Sequence, residues 1–165
     1  MQVALVAALI LSVACRGGPS GGPSFVDPPG ARACGSDTQE DLDAGLESRT
    51  VAAGPLSMVT SRVSSVPSGD SPVRSFKVSV RVDAGAEATL RTTTPGTSLL
   101  FDRKVFRQDN VYRLEDGIES VRFVGCARRS AMFVGSVLTT GPRVVTVEVT
   151  SGGGRTLVTL APFAD

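Results

Sequence analysis

Alternation of apolar and polar residues is the feature that most limits the fold of this chain. Phe and Val alternate with Lys, Ser and Arg over 76–82, and Val alternates with Thr and Glu over 145–150. Successive side chains of a β-strand point to opposite faces, so both runs predict strands with one buried face. A third run, 157–160, follows the turn sequence of 151–154 and predicts a C-terminal hairpin. Less regular patterns predict further strands at 56–63, 88–93, 98–101, 111–114, 118–124 and 132–138.

Turn-forming residues separate these predicted strands. Gly, Pro and Asp occur together at 68–70, 83–85, 95–96, 116–117 and 141–142. Helical signals are confined to a capping-box pattern at 37–40 and to Phe101, Val105 and Gln108, which fall at helical spacing. Many short strands with turns at this spacing predict an all-β fold. We expect an antiparallel β-sandwich, Ig-like or jelly-roll-like, with at most one or two short helical turns.

A short apolar run precedes a cysteine near the start of the sequence. Residues 3–14 are apolar or small, and at ~1.5 Å per residue a helix of this length falls well short of a ~30 Å bilayer core. The run therefore predicts a secretory signal peptide, residues 1–14, with small residues at Ser12 and Ala14 for cleavage. Residues 11–15 resemble a bacterial lipobox, although Ser12 stands where Leu is usual. We expect a lipid on Cys15; the alternative is plain secretion after the same cleavage.

The sequence after Cys15 predicts a tether followed by one domain. Residues 16–30 are mostly Gly, Pro and Ser, the composition of a flexible linker. We assign 15–33 to a lipid-attached tether and 34–165 to the β-sandwich domain. Basic and acidic residues nearly cancel, at 17 and 16, and no block of like charge stands out. Nucleic acid is therefore not an expected partner.

Two cysteines remain if Cys15 carries lipid. Cys34 and Cys126 would then be an even pair in an oxidising compartment, which favours a disulfide. The alternative is two free thiols, with Cys126 buried at a strand end. Two cysteines without any histidine do not make a zinc ligand set, so no metal or other cofactor is expected.

No recognisable catalytic set occurs in the sequence. The absence of histidine excludes Ser-His-Asp and Cys-His arrangements within the chain. A G-x-S-x-G match at 18–22 lies in the Pro/Gly tether instead of a strand-to-helix turn. A calcium loop at 37–43 lacks the required spacing and central Gly. Carboxylates alone could serve glycoside hydrolysis, but the candidates have the pattern of turn or solvent-facing residues: Asp102, Asp109, Glu115, Asp116 and Glu119. The short basic groups at 103–104, 107 and 128–129 are expected to be solvated, or more remotely to dock an anionic wall polymer or headgroup.

Several short segments together resemble a family of uncharacterised actinobacterial secreted proteins and lipoproteins. The similarity spans 34–163 and is carried by 54–56, 76–82, 100–102, 112–113 with 116–117, 121–126, Phe133 with Gly135, 141–143 and 160–163. Members often have a Cys directly after the Gly-Pro-Arg segment, where this chain has Val144. The resemblance therefore implies Cys34 as the partner of Cys126. It implies no activity and no ligand.

The expected function is a non-enzymatic binding or interaction module at the cell envelope. Its expected contacts are the membrane, through the lipid on the extracytoplasmic face, and an envelope ligand or protein that the sequence does not identify. One alternative is an accessory subunit of a membrane transport or signalling complex. Another is a carboxylate-dependent glycoside hydrolase, which would need two acids ~5–10 Å apart in one cleft.

Overall fold

Two five-stranded sheets form the protein in the computed structural model. The structure describes Asp27 and residues 30–37, 49–65, 72–141 and 144–161, and every structural statement below refers to these residues. The strands are β1 (Ala31–Arg32), β2 (Arg49–Ala53), β3 (Leu56–Ser65), β4 (Arg74–Val82), β5 (Glu87–Thr92), β6 (Thr97–Leu100), β7 (Ser120–Val124), β8 (Ala131–Thr139), β9 (Val145–Ser151) and β10 (Gly154–Leu160). Short 3-10 helices occupy Cys34–Ser36 and Leu114–Asp116.

The sheets confirm the predicted all-β sandwich. One sheet has the order β1-β7-β5-β9-β10 and is called sheet A; the other, sheet B, has the order β2-β3-β4-β8-β6. All pairings are antiparallel except that of β1 with β7. The predicted C-terminal hairpin is confirmed, since β9 and β10 are joined by Gly152 and Gly153 at φ 55° and 82°. Positive φ at both turn residues gives the backbone twist that two-residue hairpins favour.

The alternating residues of the sequence form the core between the sheets. Phe76, Val78, Val80 and Val82 of β4 are all buried, and the valines at 145, 147 and 149 face them from β9. The Phe123 ring packs edge-on against Phe101, with ring centres 5.0 Å apart. Burial of one face per strand is what the period-two pattern predicts.

The segment between β6 and β7 differs from the predictions. The strand expected at 111–114 and the helix suggested at 101–108 are absent; turns and the Leu114–Asp116 helix take their place. Tyr112 packs with Val73, Leu100 and Leu138 in a second apolar cluster, outside the main core. The apolar residues that suggested a strand are thus explained by a loop that covers the outer face of sheet B.

Two residues assigned to the tether form a short strand with the domain. Ala31 and Arg32, assigned to the tether, pair in parallel with Arg122 and Phe123 of β7. The strand β2 was also not among the predicted strands. The capping-box residues 38–40, Cys15 and the signal segment lie outside the described residues.

A disulfide joins Cys34 to Cys126, the pairing favoured by the cysteine count. The two Cα atoms are 4.8 Å apart, across a sequence separation of 92 residues. The bond fastens the segment after β1 to the chain after β7. None of the helices in the described residues has the length and apolarity needed to cross a membrane.

Candidate ligand cleft beside Arg32

The long loop between β6 and β7 forms one wall of a cleft. Apart from the Leu114–Asp116 turn of 3-10 helix it has no regular structure, and loops of this length are uncommon in compact domains and often functional. The cleft lies between this loop, β1 and β6, and has a volume of about 320 Å³. That volume is at the lower end of the range for small-molecule pockets. Its polar lining comes from Asp27, Arg32, Asp102, Lys104 and Asp116, and apolar side chains such as Phe101, Val105 and Ile118 complete it.

Arg32 is held rigidly at the base of this cleft. Its Nε donates a hydrogen bond to the Phe101 carbonyl at 2.7 Å, and its Nη1 donates to the Ala31 carbonyl at 3.1 Å. Only 14% of its side chain is exposed. The pairing of β1 with β7 brings Arg32 here, supported by the Arg122 amide, which donates to the Gly30 carbonyl at 2.8 Å.

Two carboxylates flank the guanidinium of Arg32 in different ways. Asp27 is buried, with 2% of its side chain exposed; one oxygen lies 3.4 Å from Nη1, and the other accepts the Ala33 amide at 3.2 Å. Asp102 is 54% exposed, and its Oδ1 lies 3.6 Å from Nη2, beyond hydrogen-bond distance. Nη1 therefore has a buried counter-ion, whereas the carboxylate nearest Nη2 is exposed and accepts the Lys104 amide at 3.0 Å.

The five carboxylates that the sequence offered for glycoside hydrolysis do not lie together in the structure. Asp102 and Asp116 line the Arg32 cleft, whereas Glu115 and Glu119 line a shallow groove next to Pro95. Asp116 accepts the Arg113 amide at 2.8 Å and lies 3.5 Å from Arg107 Nη2. Both of its oxygens therefore stabilise the loop.

The remaining carboxylates also have structural contacts. Asp109 accepts the Val111 amide at 3.0 Å within a turn. Glu119 accepts two hydrogen bonds from Arg91, and this contact raises the pKa of the guanidinium. These contacts agree with the turn and solvent-facing positions expected from the sequence.

A group of possible metal ligands lies at the disulfide. Sγ of Cys34 and of Cys126 and a carboxylate oxygen of Asp37 lie within 4.8 Å of one another. The sulfurs are bonded to each other, so neither is available as a thiolate. Asp37 accepts a hydrogen bond from Arg129, and the contact raises the pKa of this arginine. The cluster therefore stabilises the loop after β7 and does not define a metal centre.

The outer faces of the two sheets differ in charge. On sheet A, Arg122 pairs with Glu87 and Arg155 lies 3.7 Å from Glu148. The hydrogen bond from Arg122 lowers the pKa of Glu87. On sheet B, register places Lys77 and Arg81 on the outer face of β4 between serines, and no acidic side chain is among the neighbours that the structure describes there.

The basic residues noted in the sequence are distributed over several environments. Lys104 lines the cleft, Arg107 is paired with Asp116 and Arg129 with Asp37. Arg103 and Arg128 are exposed. The described basic residues therefore do not form one continuous patch.

Arg32 and Asp27 were not identified from the sequence. They lie in a Pro/Gly-rich segment without periodicity, and only the pairing of β1 with β7 brings them to Phe101. In comparisons with known proteins, no family model and no curated protein matches this chain. The fold and the cleft therefore define its class: a disulfide-bonded all-β sandwich with a small cleft beside its long loop.

Proposed function

We propose that this protein is an extracytoplasmic lipoprotein whose β-sandwich binds a small ligand in the Arg32 cleft without chemically altering it. The observation that carries the binding proposal is the guanidinium of Arg32, which lines the cleft, is fixed by Phe101 and Asp27, and makes no hydrogen bond at Nη2 within the described residues. A preplaced cation loses little freedom when it binds an anion, which favours affinity.

The cleft favours a ligand with one anionic group and a short apolar part. All three cleft carboxylates have a counter-ion: Asp27 and Asp102 lie beside Arg32, and Asp116 lies beside Arg107. Oδ1 of the exposed Asp102 accepts the Lys104 amide at 3.0 Å and lies 3.6 Å from Nη2 of Arg32, so a bound anion would compete with this carboxylate for Nη2 and the Lys104 ammonium. Val105 and Ile118 supply apolar surface next to them.

Binding of two small ions of opposite charge tests whether the cleft prefers an anionic ligand. Saturation-transfer NMR on the full chain in detergent would compare propionate with propylammonium, which share an apolar part. Propionate is expected to bind wild type and to lose binding in Arg32→Met. The matched control Arg91→Met removes an exposed arginine of sheet A and should leave binding unchanged. Equal or stronger binding of propylammonium would contradict the proposed anion site.

The proposed location has separate support. Cys15 follows small residues after a short apolar run, as lipid-modified cysteines do. The Cys34–Cys126 disulfide fits an oxidising compartment. Two acyl chains on one Cys would suffice for stable anchoring. The mass of the mature N-terminus and metabolic labelling with a fatty acid, in wild type and Cys15→Ser, test the anchor. An unmodified Cys15 in membrane-free supernatant would refute it.

Two alternatives remain beside this proposal. Asp102 and Asp116 share the cleft, as a carboxylate-dependent hydrolase would require, but both oxygens of Asp116 already have partners. An accessory role in a transport or signalling complex would appear as a permease or sensor captured by cross-linking in membranes. Membership in the actinobacterial family also stays a proposal and adds no activity.

A further inference from the structure

The β10 edge of sheet A is the longest of the four sheet edges that the structure describes, and β2 of sheet B lies beside it without pairing to it. The β1 edge has only two residues, the β2 edge five and the β6 edge four, and Leu99 of β6 is bridged by Ile118. The strand β10 has seven residues and pairs with β9 without a register shift from Gly154 to Leu160. Proteins usually protect such an edge with charged side chains, Pro, a bulge or a covering segment. β10 has one charged residue, Arg155, which lies beside Glu148, and it has no Lys, Pro or bulge.

The register of the hairpin determines which backbone groups β10 presents. Gly154 and Ser151 flank a two-residue turn and form a hydrogen-bonded pair. Partners alternate along an antiparallel ladder, so Thr156, Val158 and Leu160 direct their N–H and C=O groups to β9. Arg155, Leu157 and Thr159 direct theirs away from the sheet. No other backbone partner for these three residues occurs in the part of the chain that the structure describes.

The side chains of the same three residues are also exposed. Leu157 is 64% exposed, the largest value among the large apolar residues described. Arg155 and Thr159 lie on either side of it on the outer face of sheet A. An exposed leucine at the centre of an unpaired edge is a feature of strands that add another strand.

We infer that β10 pairs in antiparallel orientation with β10 of a second copy of this chain. A twofold axis through Leu157 places Leu157 opposite Leu157 of the second copy, and Arg155 opposite Thr159. All three pairs then have outward-directed backbone groups on both strands, which gives about six hydrogen bonds. The arginines of the two copies are not opposite each other, so the register brings no like charges together. The two five-stranded copies of sheet A become one continuous sheet.

Self-pairing is favoured over a strand from another protein because β10 is complementary to itself in its outward backbone groups and in its exposed side chains. The same register satisfies the backbone groups and places leucine against leucine, as an isologous twofold contact requires. This inference concerns an edge remote from the cleft ligand and does not depend on the lipid. Two copies anchored on one membrane would, however, meet at a raised effective concentration.

Cysteine cross-linking in the full chain, expressed in its host membranes, tests the register. Directly opposed residues of a hydrogen-bonded pair have Cα atoms ~5.5 Å apart, within the range that a disulfide spans. Leu157→Cys is expected to give a species of twice the monomer mass on non-reducing gels. Ala52→Cys, exposed on the outer face of sheet B, should not, and wild type gives the background from Cys15. A Leu157→Cys product of any other mass would identify a different partner and overturn the inference.

Sedimentation of the detergent-solubilised chain supplies the second measurement. Wild type is expected to sediment as a dimer at ~100 µM protein. Leu157→Lys places two ammonium groups together on the axis and should shift the protein to monomer, whereas Ala52→Lys should not. The unfolding midpoint of Leu157→Lys should match that of wild type, because the side chain is exposed. A monomeric wild type, or a dimer that Leu157→Lys leaves intact, would overturn the inference.

Discussion

Replacement of Gly135 by alanine should destabilise the sandwich through a single added methyl group. Gly135 lies on β8 opposite Val78, beneath the Phe101 ring. A Cβ there would contact Phe101 Cδ1 and would lie 2.5 Å from Cε1 and 2.7 Å from the Leu100 carbonyl oxygen. A backbone oxygen cannot rotate away, and the buried ring is packed against Phe123. Both neighbours must therefore shift.

The expected loss in the free energy of unfolding is the difference between two opposing effects. Overpacking of a core costs ~1–3 kcal/mol, and the upper end applies because a backbone atom is involved. Replacement of a strand glycine by alanine, by contrast, stabilises a protein by ~0.5–1 kcal/mol. The net loss is about 2 kcal/mol, which lowers the melting temperature by roughly 4–8 °C for a domain of this size. Urea and thermal unfolding followed by circular dichroism measure it.

Two further variants separate this explanation from a general effect of alanine. Gly141→Ala is the matched control, because an added Cβ there meets nothing within 4 Å, and stability should change by less than ~0.5 kcal/mol. Phe101→Leu removes part of the ring that Gly135→Ala would displace, so the double variant should be more stable than the sum of the single effects predicts. Additive effects, or a Gly135→Ala protein as stable as wild type, would refute the reasoning.

Three further predictions concern other parts of the fold. Replacement of Cys34 and Cys126 by serine should lower the free energy of unfolding by ~4–5 kcal/mol, because the disulfide closes a loop of 92 residues; a urea titration that shows less than ~1 kcal/mol would contradict this. Arg122 lowers the pKa of Glu87 from its ordinary 4.5, so the stabilisation from this pair is present above that pH and is lost as pH falls through the lowered pKa. When the pH is lowered below about 4.5, the free energy of unfolding should therefore fall less in Glu87→Gln than in wild type. An equal fall would argue against a stabilising Arg122–Glu87 pair. Asn110 has φ 54°, so Asn110→Val should cost ~1–2 kcal/mol and Asn110→Gly little; equal melting temperatures would argue against backbone strain.

The regular strands were predictable because their information is local. The predicted 76–82 strand lies within β4, and the predicted hairpin is that of β9 and β10. In each, alternation selects the buried face and the glycines between them permit the turn. The same logic failed at 111–114, because apolar residues at alternate positions also suit a loop that packs Tyr112 onto the outside of sheet B.

The cleft was less accessible to sequence reasoning. Asp102 and Asp116 were among the candidate carboxylates, but nothing local separated them from Glu115 and Glu119. Arg32 was missed because the two residues of β1 have no periodicity, and their parallel partner β7 lies about 90 residues further along the chain. Parallel pairing of this kind needs long-range contacts that no local pattern encodes.

By itself, the sequence determined the all-β class, most strands of the core and the preferred partner of Cys126, since alternation, turn chemistry and cysteine count are properties of short segments or of composition. The tertiary structure decided which strands are neighbours, and with them the two features on which function is proposed. The Arg32 cleft exists because β1 docks beside β7 next to a loop that covers sheet B. The β10 edge exists because β10 is the last strand of sheet A among the described residues. Both follow from contacts between residues distant in sequence, whose free energy depends on the whole packed fold.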